Sequence, residues 1–210
     1  MMKNILIINA SPRGKRSNSR RLTELFAEKW LEKNPDYTIT HREVGQESIP
    51  HVSEAWIAAA FKPVALRTEE DQTTLVISNQ LIAELRNANV IVLGSPMYNW
   101  SIPSALKAYL DQVIRVHETI EISMEDPKNP YVGLLKHKKL YLLLSRGNGG
   151  YGSGEYYEHM NFQSTYLKTV FNIMGVADIT EISLNGEAIG GESFEQAMKS
   201  VELQIDQLTI

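Results

Sequence analysis

The chain has 210 residues and no cysteine, which excludes disulfides, thiolate catalysis, zinc–cysteine sites and cysteine-ligated iron–sulfur clusters together. It also lacks an excess of positive charge: 21 Lys and Arg stand against 25 Asp and Glu, a net charge of −4. With no basic face implied globally, nucleic acid is not expected as a partner. Long apolar runs are missing as well. No 18-residue apolar stretch occurs, and the apolar run at residues 5–8 is too short for a signal-peptide core. No membrane partner is expected, and a cytoplasmic location is. The histidines His41, His51, His117, His137 and His159 are scattered without metal-ligand spacing, so no metal site is expected.

What is present reads as an ordinary globular domain, 43% hydrophobic and 22% charged,. One domain spanning 1–210 with a sizeable core is expected. Residues 5–8, 90–94 and 139–145 are short apolar runs, the pattern of strands covered on both faces. Residues 37–44 alternate and read as a strand nearer an edge, and 179–184 read as a fifth strand,. Leu22, Leu25, Phe26 and Trp30 mark a helix that Asn34-Pro35 ends,. Thr68-Glu-Glu-Asp71 reads as a capping box opening one long helix,. Pro103 opens a helix to about residue 115, another spans about 157–174, and a Ser193…Gln196 box starts the last,. Asp111 and Arg115 are spaced as an i,i+4 ion pair on the helix after Pro103,. Residues 45–67 carry no clear pattern, and 117–137 form a long polar excursion. The βα alternation predicts an α/β, flavodoxin-like three-layer sandwich: a five-stranded parallel sheet, order 2-1-3-4-5, with helices on both faces.

Three unusual loops follow strands and therefore meet at the carboxyl rim of that sheet, where small ligands bind. The first contains Ser11 and Ser17-Asn18-Ser19, hydroxyls and amides at a helix amino terminus that suit a phosphate as well as a plain N-cap. The second is Pro96-Met97-Tyr98-Asn99-Trp100, whose amide side chain can both donate and accept along a ring edge. The third, Ser145-Arg146-Gly147-Asn148 and the glycines after it, lets backbone approach a flat ligand. Residues 147–152 match G-x-G-x-x-G, but that fingerprint belongs to a tight first βα turn and not to a late glycine-rich loop. A phosphate, a ring edge and backbone donors at one rim together suit FMN, which would carry the chemistry that no acid–base constellation here supplies.

With these motifs in order, the chain resembles the FMN-dependent NADH:quinone oxidoreductase and NADH-azoreductase family. Ser11 and Ser17-Asn18-Ser19 match its phosphate loop. Residues 96–100 resemble its Pro-Met-Tyr-Asn-Phe loop with Trp for Phe, and 145–148 its Ser/Thr-Arg-Gly-Gly segment with Asn for the second Gly. The resemblance implies bound FMN, NADH or NADPH as co-substrate, and ping-pong reduction of quinones and of azo compounds. It also implies a homodimer with active sites shared between subunits. Where the family carries Thr-Phe-x-Tyr this chain has Thr119-Ile120-Glu121-Ile122, so the ring expected over the substrate is absent there. The alternative on the same fold is a flavodoxin-type electron carrier, which NAD(P)H would not reduce directly. Such carriers usually show a strongly acidic docking face, and this chain is only mildly acidic. A hydrolase built on Ser11 or Ser145 would need a Gly-x-Ser-x-Gly elbow, which neither occupies,.

Overall fold

The computed structural model describes residues 3–208. Five long strands, β1 (Lys3–Asn9), β2 (Tyr37–Arg42), β3 (Val90–Pro96), β6 (Lys139–Ser145) and β7 (Asp178–Leu184), form one parallel sheet in the order β2-β1-β3-β6-β7. In chain order this is the expected 2-1-3-4-5. Two short strands, β4 (Ile120–Ile122) and β5 (Tyr131–Gly133), pair antiparallel as a separate ribbon inside the polar excursion. The helices are α1 (Asn18–Lys33), α2 (Glu54–Phe61), α3 (Glu69–Thr74), α4 (Val76–Asn87), α5 (Ser104–Val113), α6 (Ser164–Ile173) and α7 (Gly191–Leu208).

The sheet has a core on each face because alternate strand residues point to opposite sides. Leu6, Ile8, Ile91, Leu93, Leu142 and Leu144 pack against α4, α5 and α6, while Ile5, Ile7, Val92, Tyr141 and Leu143 pack against α1 and α7. Burial on both sides is why β1, β3 and β6 read as continuous apolar runs. Gly94 permits a close contact between the sheet and α1. A Cβ there would lie 2.6 Å from Thr23 Cγ2 and 2.9 Å from the Ser19 carbonyl oxygen, so glycine lets the start of α1 lie flat on β3.

Several sequence expectations need correction. The helix expected from Thr68 divides into α3 and α4 at Leu75; its capping box does form, with Thr68 Oγ1 accepting from the Asp71 N–H and Asp71 accepting from the Thr68 N–H. The patternless 45–67 stretch contains α2, capped by Ser53, which its run of alanines hid because it gives no contrast between faces. The helix expected from 157 starts only at Ser164. Residues before it fold as turns and a 3₁₀ turn, Glu158–Met160, and Asn161 Oδ1 accepts from the Ser164 N–H at 3.1 Å. The last helix begins at Gly191, so Ser193 is inside it, and Gln196 bonds Glu192 instead of closing a box. Asp111 pairs with Lys107, not with Arg115, whose Nη1 donates to Ser78 and Asn79.

Candidate functional site

The strand register brings the three loops together. Asn9 lies beside Gly94 and Pro96 beside Ser145, so the chain leaves three adjacent strands at one edge within two residues of the same level.

After Asn9 the first loop passes through a 3₁₀ turn, Gly14–Arg16, into α1. Ser11, Ser17 and Ser19 are all buried. Ser17 Oγ accepts from the Arg20 N–H at 3.3 Å, as an N-cap does, and lies 3.1 Å from Ser19 Oγ. Asn18 opens the helix beside them. Two contacts from outside the loop fix it. Gly45 sits so close that a Cβ would be 2.3 Å from the Ser11 carbonyl carbon, and its N–H donates to the Asn9 carbonyl at 3.0 Å. Glu43, just past β2, accepts from Arg20 and from Asn9 Nδ2, the latter at 2.9 Å. Burial alone would push the Glu43 carboxyl up, but the hydrogen bonds from Arg20 and Asn9 and the Arg20 charge outweigh it, and its pKa is lowered,. Arg13 is paired with Glu187 at 2.6 Å. Lys15 and Arg16 are exposed and have no ion pair among the described residues.

The second loop is a two-residue turn. Tyr98 and Ser101 exchange backbone hydrogen bonds of 2.9 and 3.0 Å, and the residues between them, Asn99 and Trp100, have φ of 47° and 64°. Left-handed backbone at both central positions is the type I′ pattern, which Asn accepts readily and Trp does not. Surroundings must hold such a residue in place. Here the Phe162 N–H donates to the Trp100 carbonyl at 3.1 Å. The Asn99 side-chain amide has no protein partner among the described residues.

The third loop is tied to the second by the Met97 N–H, which donates to the Ser145 carbonyl at 2.8 Å. Arg146 is buried, its Nε donating to Gln163 Oε1 at 2.9 Å and its Nη2 to Glu181 Oε1 at 3.0 Å. Burial pushes the Glu181 carboxyl up, but hydrogen bonds from Lys168 and Ser183, with the charges of Lys168 and Arg146, bring it below its ordinary value. The segment after β7 is laid on this loop: the N–H of Gly186 donates to the Arg146 carbonyl and that of Ala188 to the Gly147 carbonyl.

Between the second and third loops lies a cavity of about 210 Å³ lined by Met97, Asn99, Trp100, Gly147, Asn148 and Tyr151. Five of the residues singled out from the sequence therefore line one cavity, and Tyr151 joins them. Pro96, Tyr98, Ser145 and Arg146 adjoin these residues in the chain without lining the cavity, and Ser11, Ser17, Asn18 and Ser19 lie outside it, in the loop after the neighbouring strand. Sequence reasoning missed Gly45, Glu43, Arg20 and Gln163. Each acts across a chain separation that no local pattern reports. Ile120 is buried and Ile122 is half exposed, directly opposite the equally exposed Tyr131. The ribbon thus carries an aromatic on its second strand.

The donor set suits FMN. Paired serine hydroxyls at the amino end of the 16-residue α1 provide hydrogen-bond donors where the helix dipole favours an anion. The unpartnered amides of Asn99 and Asn148 face one cavity with glycine backbone beside them, and a heteroaromatic ring with alternating donors and acceptors can pair with both.

Comparison with known proteins agrees. A family model described as flavodoxin-like fold matches residues 3–208. FMN-dependent NADH:quinone oxidoreductase 1 of Trichormus variabilis is 42% identical over 204 residues, covering 97% of this chain and 94% of its own. FMN-dependent NAD(P)H:quinone oxidoreductase 1 of Pseudomonas aeruginosa is 38% identical over 205 residues, covering 97% of each. Among solved structures, an FMN-dependent NADH-azoreductase from Bacillus anthracis in complex with FMN matches with a TM-score of 0.85 at 26% identity, covering 100% of both chains.

Proposed function

The chain belongs to the flavodoxin-like family of FMN-dependent NADH:quinone oxidoreductases, and from that membership we propose how its rim site works. The protein is an FMN-dependent NAD(P)H oxidoreductase acting on quinones, with azo compounds as further acceptors. The observation that supports the site assignment is that three loops leave adjacent strands at one rim, the second and third enclosing a cavity lined by Asn99 and Asn148, whose amides have no protein partners among the described residues. FMN bound there would supply the two-electron redox chemistry that couples NAD(P)H to the acceptor in a ping-pong cycle.

Each part of the chain has a separable task. Ser11, Ser17, Asn18 and Ser19 hold the phosphate, assisted by the dipole of α1. Met97, Asn99 and Trp100 on one side and Gly147 and Asn148 on the other would hold the ring, with Pro96, Tyr98, Ser145 and Arg146 positioning them. Asn99 fixes the ring's orientation through its side-chain amide. Trp100, half exposed at the cavity, shields one side from water and offers a face on which a flat acceptor can stack. Holding donor and acceptor in turn against the same face is the protein's main contribution to rate.

We also propose a homodimer. Ile57, Phe61, Val64 and Leu66 are exposed by 47–72% along α2 and the turn after it, a larger apolar strip than scattered surface residues make. Among the described residues no helix is long and apolar enough to cross a membrane, and a cytoplasmic location is proposed. A partner role for nucleic acid is not proposed, given the mild negative charge.

The test is spectroscopic. Purified protein, reconstituted with FMN, should show flavin absorption that NADH or NADPH bleaches anaerobically and that a quinone restores. Bound flavin that neither nucleotide reduces would indicate the electron carrier, and no flavin binding would refute the site. Sedimentation at micromolar concentration should give twice the mass of the chain.

A further inference from the structure

One fully buried side chain connects the two ring-edge loops without belonging to either. Gln163 lies just before α6 and is 0% exposed. Its Oε1 accepts from Arg146 Nε at 2.9 Å, and its Nε2 donates to the Ser95 carbonyl at 3.1 Å. Ser95 leads into the Met97–Trp100 loop, and Arg146 leads into Gly147 and Asn148. The residue before it, Phe162, donates its N–H to the Trp100 carbonyl at 3.1 Å. Residues 162 and 163 therefore grip the second loop at both ends, and Gln163 grips the third loop in the same stroke. An amide suits this, since one end donates and the other accepts.

We infer that Gln163 is a positioning residue that sets the spacing between the two loops, and with it the aim of the Asn99 amide. It does not line the cavity. It acts through Ser95 and Arg146. The inference deepens the FMN reading above, and it has a consequence that holds without any cofactor. Gln163→Glu still accepts from Arg146 when ionised but cannot donate to the Ser95 carbonyl, so it should release the second loop and keep the third. Gln163→Met has neither function and should release both.

The experiment has two arms. In FMN-free protein, backbone amide resonances are compared among wild type, Gln163→Glu and Gln163→Met. Gln163→Glu should shift the signals of residues 95–101, and Gln163→Met should also shift 146–148. Shifts confined to α6 in both variants would overturn the coupling, whatever the cofactor. In the second arm FMN affinity is measured by quenching of flavin fluorescence. Gln163→Glu should weaken binding on the order of tenfold, but much less in an Asn99→Gly background, because the effect passes through Asn99. Additive losses would overturn the positioning role. If wild type itself fails to bind FMN, the functional reading falls while the first arm still decides the loop coupling. Should Gln163→Met fail to fold, Gln163→Glu decides both arms.

Discussion

Replacing Gly45 with alanine tests how the first loop is held. The added Cβ would lie 2.3 Å from the Ser11 carbonyl carbon, 2.5 Å from its oxygen and 2.7 Å from the Ala10 carbonyl carbon. Ordinary contact begins near 3.4 Å, so backbone on one side must move by about 1 Å. Neither side is a flexible side-chain tip. The Gly45 segment is tied down by its own hydrogen bond to Asn9 and by Glu43, which grips Arg20, so Ser11 yields. Overpacking of this kind costs about 1–3 kcal/mol in stability. Displacing one charge-assisted hydrogen bond to a phosphate costs about 1.5–3 kcal/mol, or roughly 10- to 150-fold in FMN dissociation constant. Flavin fluorescence titration and thermal melting measure the two effects separately. Gly190→Ala is the control: it also places alanine where glycine was, at φ 66°, but with nothing within 4 Å, so it should lower Tm slightly and leave FMN affinity alone. A Gly45→Ala protein that melts early yet binds FMN like wild type would refute the claim that Ser11 helps hold the phosphate.

Other perturbations reach the remaining parts. Asn99→Gly and Asn99→Ala should both weaken FMN binding by about 1–3 kcal/mol through loss of the amide. Only the alanine variant should also lose about 1 kcal/mol of stability from its left-handed backbone; wild-type affinity in the glycine variant would remove Asn99 from the site. Glu43 should make acid stability steeper. Its folded pKa is lowered below 4.5, so its contribution is complete above that pH and fades as pH falls through the folded value. The Tm gap between wild type and Glu43→Gln, measured from pH 7 downward, should therefore close below about 4.5, and a gap that widened would reverse the assigned sign. Gly133 meets Gly175 backbone to backbone, and a Cβ at Gly133 would lie 2.1 Å from the Gly175 nitrogen. Gly133→Ala should thus shift the β4–β5 ribbon and lower Tm while leaving FMN affinity unchanged.

By itself the sequence determined the sheet and the identity of the rim. The continuous apolar runs of β1, β3 and β6, separated by amphipathic helices, leave little choice but a parallel sheet covered on both faces. Once that is given, Ser11, Asn99 and Gly147 must emerge at its carboxyl edge. These signals are local, carried by residues within one strand and the loop it feeds. What only the tertiary structure decided is how the loops are held to one another. Gly45 against Ser11, Glu43 on Arg20, Phe162 on Trp100 and Gln163 between Ser95 and Arg146 join positions up to 68 residues apart. None has a period or a motif. The left-handed turn at Asn99-Trp100 was equally hidden, because a tryptophan at φ 64° runs against its own preference and is set by its neighbours. Element identity follows from the pattern of burial along the chain, whereas loop spacing follows from which distant backbone groups must find partners when the sheet closes.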